Sequence, residues 1–353
     1  MLYEGTIYEG IMYQLARRAL FLLPAETSHH LSLNAIALSS RLGLLKLLPK
    51  PEALPVEAMG LSFPNPVGLA AGLDKNGDYF DALSELGFGF VEIGTITPRP
   101  QPGNPQPRLF RLPEYQAIIN RMGFNNKGVE YLVSKLEQYR PNIILGINIG
   151  KNKLTANESA ADDYLYCFKK VQHLADYVTI NISSPNTQDL RKLQENDNLI
   201  NLLEKLKNSQ LEYAEKSNKY TPIVVKIAPD QDDEATVKIA QTIQNSGMDG
   251  IICTNTTINK NNLKKENHQS ENGGLSGKPL LSRSNHIIKI VRSAVGSDFP
   301  IIGVGGILTD DDAMSKIDSG ANLVQIYTGL IYHGSKLVHD SNRKIKSATK
   351  QNI

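Results

Sequence analysis

Two lysines stand where the sequence predicts apolar strands, and a buried ammonium group needs a partner. Lys226 lies inside the run Ile223–Ala228 (IVVKIA), and Lys75 directly follows Pro66–Gly72 (PVGLAAG). An unpaired buried charge costs several kcal/mol, so such a lysine points to an anion that meets it. The two lysines therefore indicate a site for an anionic cofactor or substrate. A solvated loop position is the alternative for Lys75.

Glycine-rich segments end two of the later predicted strands. They are Gly303–Ile307 (GVGGI) and Tyr327–Gly329 (YTG), and Gly274–Gly277 (GLSG) is a third candidate loop. In a parallel eight-stranded barrel, the loops after the last two strands commonly bind phosphate. Backbone N–H groups at a glycine turn can approach phosphate oxygens closely, because no side chain intervenes. The alternative is that these glycines only permit tight turns.

Amide side chains are concentrated near the predicted strand ends. Asn148 and Asn181 lie inside apolar patterns, where a turn-forming role fits poorly. An amide donates and accepts hydrogen bonds, so it suits a planar ligand with alternating N–H and C=O groups. Arg121, in the segment NRMGF, adds a cation suited to a carboxylate. The other asparagines of this group are Asn120, Asn125, Asn186 and Asn255.

A hydroxyl and two thiols complete the candidate chemistry. Ser184, in NISSPNT, is a candidate base or nucleophile, but no nearby His or Asp completes a triad. Spacing alone therefore favours an ordinary turn hydroxyl. Cys167 and Cys253 are far apart and outside any CxxC spacing, which argues against a disulfide scaffold and a zinc site. We expect no metal.

Eight apolar strands, alternating with helices, must position these residues. Helical spacing is clearest in Asp233–Gly247 and Asp311–Gly320, each with early acids and a terminal glycine. The count of eight favours a (βα)₈ TIM barrel over a doubly wound sheet, and catalytic residues of barrels gather at the carboxyl ends of strands. The predicted strands are Pro66–Gly72, Phe90–Thr95, Ile143–Gly150, Tyr177–Ser183, Ile223–Ala228, Gly250–Thr256, Ile301–Ile307 and Leu323–Gly329.

The composition excludes several classes of protein. The 353 residues include 38 Lys+Arg and 36 Asp+Glu, a net charge of +2, and 41% are hydrophobic. A disordered chain would contain fewer apolar residues, and this balance gives no electrostatic signal for nucleic acid. The opening MLYEGTIYEG lacks a basic signal-peptide region, and no apolar run reaches the roughly 18 residues needed to span a bilayer. We therefore expect an intracellular protein without a membrane-spanning segment.

Segments outside the alternating pattern divide the chain. Residues 1–50 predict two amphipathic helices, Tyr8–Leu23 and Ser28–Leu48, separated by Pro24. The histidines at 29 and 30 fall on the second helix, where a solvated face is the default interpretation. A hairpin is predicted at Val56–Phe63 and a mobile loop at Asn259–Gly274. The predicted units are the extension 1–50, the barrel 51–340 and a polar, partly disordered tail 341–353.

Taken together, the strand-end motifs resemble the dihydroorotate dehydrogenases, specifically the membrane-associated class that reduces quinones. Thr328 stands where this family commonly has serine, which keeps the hydroxyl. The cysteine that the soluble class uses at the position of Ser184 is absent, which favours the quinone class. The matching segments are GLAAGLDK (68–75), EIGTITP (92–98), NRMGFNN (120–126), NISSPNT (181–187), KIAP (226–229), TNTT (254–257), GGLSG (273–277), GVGGI (303–307) and QIYT (325–328).

The resemblance implies an oxidoreductase that converts dihydroorotate to orotate in de novo pyrimidine biosynthesis. One FMN per chain is the implied cofactor, a quinone is the implied second substrate, and Ser184 is the implied general base. The implied FMN contacts are Ala71, Gly72, Leu73, Asp74, Lys75, Thr95, Asn148, Asn181, Lys226, Thr254, Gly277, Gly306, Tyr327 and Thr328. The implied pyrimidine contacts are Lys75, Asn120, Arg121, Met122, Gly123, Phe124, Asn181, Asn186, Asn255 and Thr256.

The resemblance also gives the helical extension a function. His29, Arg111 and Tyr327 match positions near the quinone, and basic residues of the two helices suit an anionic bilayer. A peripheral, monomeric protein on the cytoplasmic side of the cell membrane is the implied arrangement. The alternatives are a soluble-class FMN barrel using fumarate or NAD, a redox-silent phosphate-binding barrel isomerase or lyase, and a non-catalytic membrane-surface module. Two helices that merely cap the barrel are the alternative for the extension.

Overall fold

The computed structural model describes residues 13–139, 142–187, 190–194, 196–261, 263 and 270–351. Residues 1–12 of the predicted extension therefore lie outside the described part of the chain. So do residues 262 and 264–269 of the predicted 259–274 loop, and residues 352–353 of the predicted tail.

The strands form a closed parallel barrel, one hairpin and one small antiparallel sheet. The barrel order is β10-β12-β13-β3-β4-β7-β8-β9, so each of the eight predicted strands is confirmed and the TIM-barrel prediction is correct. In chain order the strands are β1 (Val56–Ala58), β2 (Leu61–Phe63), β3 (Val67–Leu69), β4 (Phe90–Ile96), β5 (Leu109–Leu112), β6 (Ala117–Asn120), β7 (Ile144–Ile149), β8 (Tyr177–Asn181), β9 (Ile223–Ile227), β10 (Gly250–Cys253), β11 (Gly274–Gly277), β12 (Ile301–Val304) and β13 (Leu323–Ile326).

The barrel strands are buried on both faces because helices cover the outside and side chains fill the inside. At the amino-terminal end of the barrel, the rings of Phe63 and Phe90 meet edge to face with centroids 5.1 Å apart. Phe63 belongs to the β1–β2 hairpin, which confirms the hairpin predicted at Val56–Phe63. The hairpin therefore packs against the barrel end opposite to the strand-end motifs.

Helices follow most barrel strands, and capping side chains mark where two of them begin. Helix α7 begins after Asp232, whose carboxylate accepts the N–H of Ala235, and Thr309 and Asp312 form a capping box at the start of α9. The helices outside the extension are α3 (Phe80–Ser84), α4 (Val129–Gln138), α5 (Ala160–Val171), α6 (Asn196–Ser217), α7 (Asp233–Asn245), α8 (Leu281–Val295), α9 (Asp310–Asp318), α10 (Thr328–His333) and α11 (Lys336–Gln351).

The three-stranded sheet β5-β6-β11 covers the carboxyl end of the barrel and was not predicted. Segment Gly274–Gly277, predicted as a loop, is strand β11, and it pairs antiparallel with β6. The prediction was wrong because this pairing joins segments more than 150 residues apart, whose short runs carry no local period of their own.

The extension is helical, as predicted, and it exposes leucines. Helix α1 covers residues 13–21, α2 spans Ala25–Arg41 with Pro24 as its N-cap, and a 3₁₀ turn follows at Leu44–Leu47. Leu22 is 87% exposed and Leu47 is 81% exposed, and other leucines of the extension are also exposed. Among the described residues, no helix is long and apolar enough to cross a membrane.

The carboxyl-terminal segment is ordered as helix, which corrects the predicted polar tail. Helix α11 passes through the predicted boundary at residue 341, and Ser341 and Asn342 are fully buried. Val338 and Ile345 lie in the main core on the same face of the helix. The apolar stripe of this helix contains few large residues, so the segment as a whole is mostly polar. Its composition is therefore typical of a polar tail, although one face packs in the core.

Candidate active site

A deep cavity opens at the carboxyl ends of the barrel strands, beneath the β5-β6-β11 sheet. Its empty volume is about 1000 Å³, counting the part open to solvent, which suits a cofactor together with a small substrate. The predicted site residues that line it are Ala71, Gly72, Lys75, Thr95, Asn120, Met122, Gly123, Phe124, Asn181, Ser184, Asn186, Lys226, Thr254, Asn255, Thr256, Gly277, Gly306, Tyr327 and Thr328. Residues that follow the first barrel strand, β3, and the last, β13, therefore meet in one place.

Four predicted contacts do not line this cavity. Leu73 packs in the apolar core, and Asp74 is buried with its carboxylate accepting the N–H groups of Asp78 and Tyr79 at 3.0 and 2.7 Å. Burial raises the pKa of Asp74, and the backbone donors oppose that rise. Asp74 therefore organises the turn that carries Lys75 instead of facing the cavity.

The other two are Asn148 and Arg121. Asn148 is fully buried next to the cavity wall, where its side chain bonds those of Thr95 and Asn181. Arg121 turns outward to pair with Glu271, and its guanidinium lies 4.6 Å from the centroid of the Phe110 ring. As placed here, Arg121 cannot meet a carboxylate inside the cavity.

Two lysine ammonium groups face the cavity. Among the described residues, neither Lys226 nor Lys75 has a hydrogen-bond or ion-pair partner, and Lys226 is only 5% exposed. Burial lowers the pKa of Lys226, and the negative charge of Glu92 opposes this. Burial also lowers the pKa of Lys75 to about 8, with Glu26 opposing. An anion in the cavity would supply the missing partner.

The opposite part of the cavity is built from backbone. Gly305 and Gly306 have φ angles of +114° and +85°, and a Cβ on Gly306 would lie 2.4 Å from the Cα of Leu281. The hydroxyl of Thr328 donates to Ser276 at 2.8 Å beside the same turn. Helix α8 begins at Leu281, so a helix start and a glycine turn meet at one point. This arrangement suits phosphate oxygens.

Substituting alanine for Gly306 should weaken binding of a phosphate-bearing ligand by at least roughly tenfold. The new Cβ would clash with Leu281, and the positive φ disfavours any residue with a side chain. Titrating FMN into apoprotein measures the change. Gly296→Ala is the matched control, since Gly296 also has a positive φ, of +79°, but nothing lies within 4 Å of its Cβ position. Equal FMN affinity in both variants would contradict the assignment of this turn.

The amides beside the lysines form two hydrogen-bonded groups. The Asn181 amide donates to Thr95 at 3.0 Å, and Asn255 donates to Asn181 Oδ1 at 3.3 Å. The Asn186 amide donates to Asn120 Oδ1 at 3.2 Å across the cavity mouth. Because each amide is held by a neighbour, its remaining donors and acceptors have fixed directions, as recognition of a planar polar ligand requires.

Ser184 lies in the loop after β8 and lines the same cavity. It is buried, and its Oγ accepts the N–H of Asn186 at 3.2 Å. The hydroxyl of nearby Thr187 is buried and has no hydrogen-bond partner among the described residues. An unpaired hydroxyl close in sequence to a candidate base can take part in carrying a proton away.

Two polar residues of the site were missed by the sequence argument. Glu92 is fully buried and accepts hydrogen bonds from Asn148 at 2.8 Å, Tyr177 at 3.0 Å and Gln325 at 2.7 Å. Gln325 lines the cavity, and its Oε1 is buried without a partner among the described residues. Glu92 carries the same kind of sequence signal as Lys226, because a carboxylate interrupts the apolar run FVEIGT. Of the other lining residues, Leu280 was also missed, whereas segments already singled out in the sequence contain Ala70, Ser276, Val304, Gly305 and Ile307.

The three quinone candidates are divided between different places. Arg111 lines a second, shallower cavity between the extension and β5, together with Phe21 and Pro113. Tyr327 lines the central cavity instead. His29 lies on α2; burial lowers its pKa to about 3, and the charge of Lys75 adds to this effect. His29 is therefore neutral at physiological pH, and it lines neither of the two cavities.

The fold and the cavity define an α/β-barrel protein whose cavity, at the carboxyl ends of the strands, suits an anionic, phosphate-bearing ligand. The sequence model for dihydroorotate dehydrogenase matches residues 53–348. The chain belongs to the dihydroorotate dehydrogenase family, which confirms the resemblance drawn from the strand-end motifs.

Individual relatives cover almost the whole chain. A Pseudomonas fluorescens protein named dihydroorotate dehydrogenase (quinone) is 55% identical over 331 residues, or 94% of this chain and 97% of its own. One from Neisseria meningitidis serogroup C with the same name is 54% identical over 329 residues, 93% of this chain and 98% of its own. The crystal structure of an Eimeria tenella dihydroorotate dehydrogenase in complex with ferulenol superposes with a TM-score of 0.83 at 37% identity, covering 92% of both chains.

Proposed function

We propose that this protein oxidises dihydroorotate to orotate with FMN as cofactor and passes the electrons to a quinone. The observation that carries the proposal is a pair of ammonium groups, Lys75 and Lys226, that have no partner in the described part of the chain and face a cavity whose far end is a glycine turn. Relatives over nearly the full chain share the name dihydroorotate dehydrogenase (quinone), which supports the same activity. Pyrimidine biosynthesis is the process that this reaction serves.

The residues present fit a flavin mononucleotide, one per chain. The backbone turn at Gly305 and Gly306, with Thr328 beside it, would hold the phosphate. Lys226 would lie against the ring system, and the unpaired Oε1 of Gln325 offers an acceptor within the same wall. When bound, the flavin supplies the two-electron redox chemistry that no protein side chain offers. Lys226 would balance negative charge that develops on reduction.

The substrate end of the cavity suits a pyrimidine carboxylate. Asn120, Asn181, Asn186 and Asn255 present amides with fixed directions, matching a ring that alternates N–H and C=O groups. Lys75 is the cation for the carboxylate, assisted by backbone N–H groups of the segment 122–124. Arg121 is left out of this proposal because it pairs with Glu271.

Oxidation of dihydroorotate removes a proton from one ring carbon and a hydride from the adjacent carbon, which become doubly bonded. Ser184 would accept the proton, and the flavin held by Lys226 and the turn at Gly305 and Gly306 would supply the two-electron acceptor. A serine hydroxyl is a weak base, so it needs desolvation and an outlet for the proton. Its burial meets the first need, and the unpaired Thr187 hydroxyl supports the second.

The helical extension supports a quinone as electron acceptor. The second cavity lies where α1 and α2 meet β5, and its walls combine Phe21 and Ala25 with Arg111. Apolar walls suit a quinone tail, while a guanidinium suits a quinone carbonyl. We propose that the quinone enters here from the bilayer, with His29 as a neutral hydrogen-bonding group and Tyr327 nearer the flavin.

We propose that the extension lies on the cytoplasmic surface of the membrane as a peripheral anchor of a monomer. Changing both Leu22 and Leu47 to glutamate should reduce binding to anionic phospholipid vesicles at least roughly tenfold. Each exposed leucine would otherwise bury apolar surface worth about 1.5–3 kcal/mol in the bilayer. Vesicle co-sedimentation measures the change, and glutamate at the exposed barrel residue Leu154 is the control. Unchanged binding of the double variant would contradict this anchoring surface.

One assay separates the proposed activity from its alternatives. Purified protein should be yellow, and dihydroorotate should reduce a quinone analogue at steady state, with fumarate and NAD as controls. Turnover with fumarate or NAD but not with quinone would favour the soluble class. A colourless protein that binds no flavin would favour a redox-silent barrel. Neither result is expected, given the lysines and the glycine turn.

A further inference from the structure

A semi-buried ion pair joins the helical extension to the barrel. Glu26 of α2 accepts hydrogen bonds from Arg108 Nε at 3.2 Å and from Arg108 Nη2 at 2.7 Å. Gln106 also donates to Glu26, at 3.0 Å. The side chains of Arg108 and Glu26 are only 10% and 15% exposed, and the cation lowers the pKa of the Glu26 carboxyl against the effect of burial. The pair is therefore ionised, forked and largely shielded from solvent.

The other side of the Arg108 guanidinium holds a loop. Arg108 Nη1 donates to the carbonyl oxygens of Pro102 at 2.7 Å and Asn104 at 2.9 Å. The two carbonyls that accept from Nη1 hold the loop against the guanidinium group. Glu26 holds the same guanidinium group through Nε and Nη2. The position of the 102–104 loop thus depends on a carboxylate contributed by the extension.

That loop in turn holds the substrate end of the cavity. The Asn104 N–H donates to the Met122 carbonyl at 3.0 Å, and the Asn104 amide donates to the carbonyls of Arg121 at 2.9 Å and Asn186 at 3.3 Å. Met122 and Asn186 both line the cavity. An unbroken chain of hydrogen bonds therefore runs from Glu26 to two separate walls of the proposed pyrimidine site.

We infer that Glu26 and Arg108 are positioning residues for the pyrimidine: through Asn104 they set the distance between the segment 120–124 and Asn186. This inference rests on the proposed function, because it assigns the substrate end of that cavity. Neither residue touches the cavity itself. It gives the extension a second use, since an element assigned to the quinone also shapes the site for the other substrate.

The charge is what makes the pair sensitive to substitution. Neutralising Glu26 leaves the Arg108 guanidinium largely buried without its counter-ion, and such a group is expected to turn toward solvent or other acceptors. Arg108 would then release the carbonyls of Pro102 and Asn104. If the ion pair only stabilised the fold, its loss would lower the unfolding temperature of the protein without altering its affinity for the pyrimidine.

Glu26→Gln in the full-length holoprotein tests the inference. We expect orotate, titrated while the flavin absorption spectrum is followed, to bind roughly five- to tenfold more weakly, near the lower end of coupling between linked sites. The KM for dihydroorotate with a water-soluble acceptor should rise in parallel, while kcat and the flavin content stay close to wild type. Glu234→Gln, which breaks an exposed ion pair with Lys238, is the matched control and should leave all values unchanged.

Glu26→Asp provides the graded comparison, because it keeps the charge but shortens the side chain. It should lie between wild type and Glu26→Gln in orotate affinity. Wild-type orotate affinity in both variants, even with a lowered unfolding temperature, would overturn the inference and leave the proposed function intact. Failure of the wild-type protein to bind orotate at all would instead overturn the proposed function.

Discussion

Replacing Ser184 with alanine is expected to lower turnover at neutral pH by roughly 10²- to 10⁴-fold, the usual contribution of a positioned general base. Flavin content should stay unchanged, since Ser184 is a cavity-lining hydroxyl in the loop after β8 and the phosphate turn lies on other strands. Steady-state oxidation of dihydroorotate, corrected for bound flavin, gives the ratio. The residual rate should rise with pH, because hydroxide can replace the missing base.

Ser293→Ala supplies the matched control for this loss. Ser293 lies on the exposed side of α8, where its hydroxyl donates only to the carbonyl of Lys289. That variant should turn over as wild type does. Turnover of Ser184→Ala within a factor of two of wild type would sink the assignment of the base. A parallel loss of flavin would indicate instead that the loop had been displaced.

Replacing Lys226 with alanine should produce the other large effect, protein with little bound FMN and slow reduction of what remains. Lys226 is buried, partnerless among the described residues and close enough to Glu92 for the two charges to interact. Its removal leaves the Glu92 carboxylate as negative charge beside the proposed flavin site. Since reduction adds further negative charge, the variant should both release the cofactor and resist its reduction.

The ratio of flavin to protein absorbance measures cofactor retention, and stopped-flow mixing with dihydroorotate measures reduction of the retained fraction. Lys238→Ala is the control, since Lys238 forms only an exposed ion pair with Glu234. Wild-type flavin content together with a wild-type reduction rate would refute this role for Lys226. Lys226→Arg should retain more flavin than the alanine variant because it restores the charge.

Local patterns of apolar residues are sufficient to predict the barrel strands of this molecule. Each barrel strand is an apolar run bounded by glycine, proline or polar residues, and a run buried on both faces keeps that signature wherever its partners lie. The same patterns locate Lys226, because a cation inside such a run is anomalous. Glu92 is the equivalent anomaly of opposite sign, because a carboxylate interrupts the apolar run of β4.

Non-local geometry explains what could not be predicted. Strand β11 pairs with β6 across more than 150 residues, so a glycine-rich segment that reads as a loop becomes a strand. Arg121 turns outward because it contacts Glu271 and Phe110. The residues next to Arg121 in the sequence do not predict these two contacts. Asp74 differs, because local backbone geometry decides its role: its carboxylate accepts the N–H groups of Asp78 and Tyr79 and does not face the cavity.

The hairpin at the amino-terminal end of the barrel affects how substrate and product reach the cavity. Phe63 is fully buried there against Phe90, so the two rings close the barrel axis at that end. We therefore expect dihydroorotate to enter, and orotate to leave, through the same mouth, where the side chains of Asn120 and Asn186 are hydrogen-bonded. Orotate has to leave before the next dihydroorotate binds, so excess orotate should compete directly with dihydroorotate. Opening of this mouth can also limit the rate of the catalytic cycle.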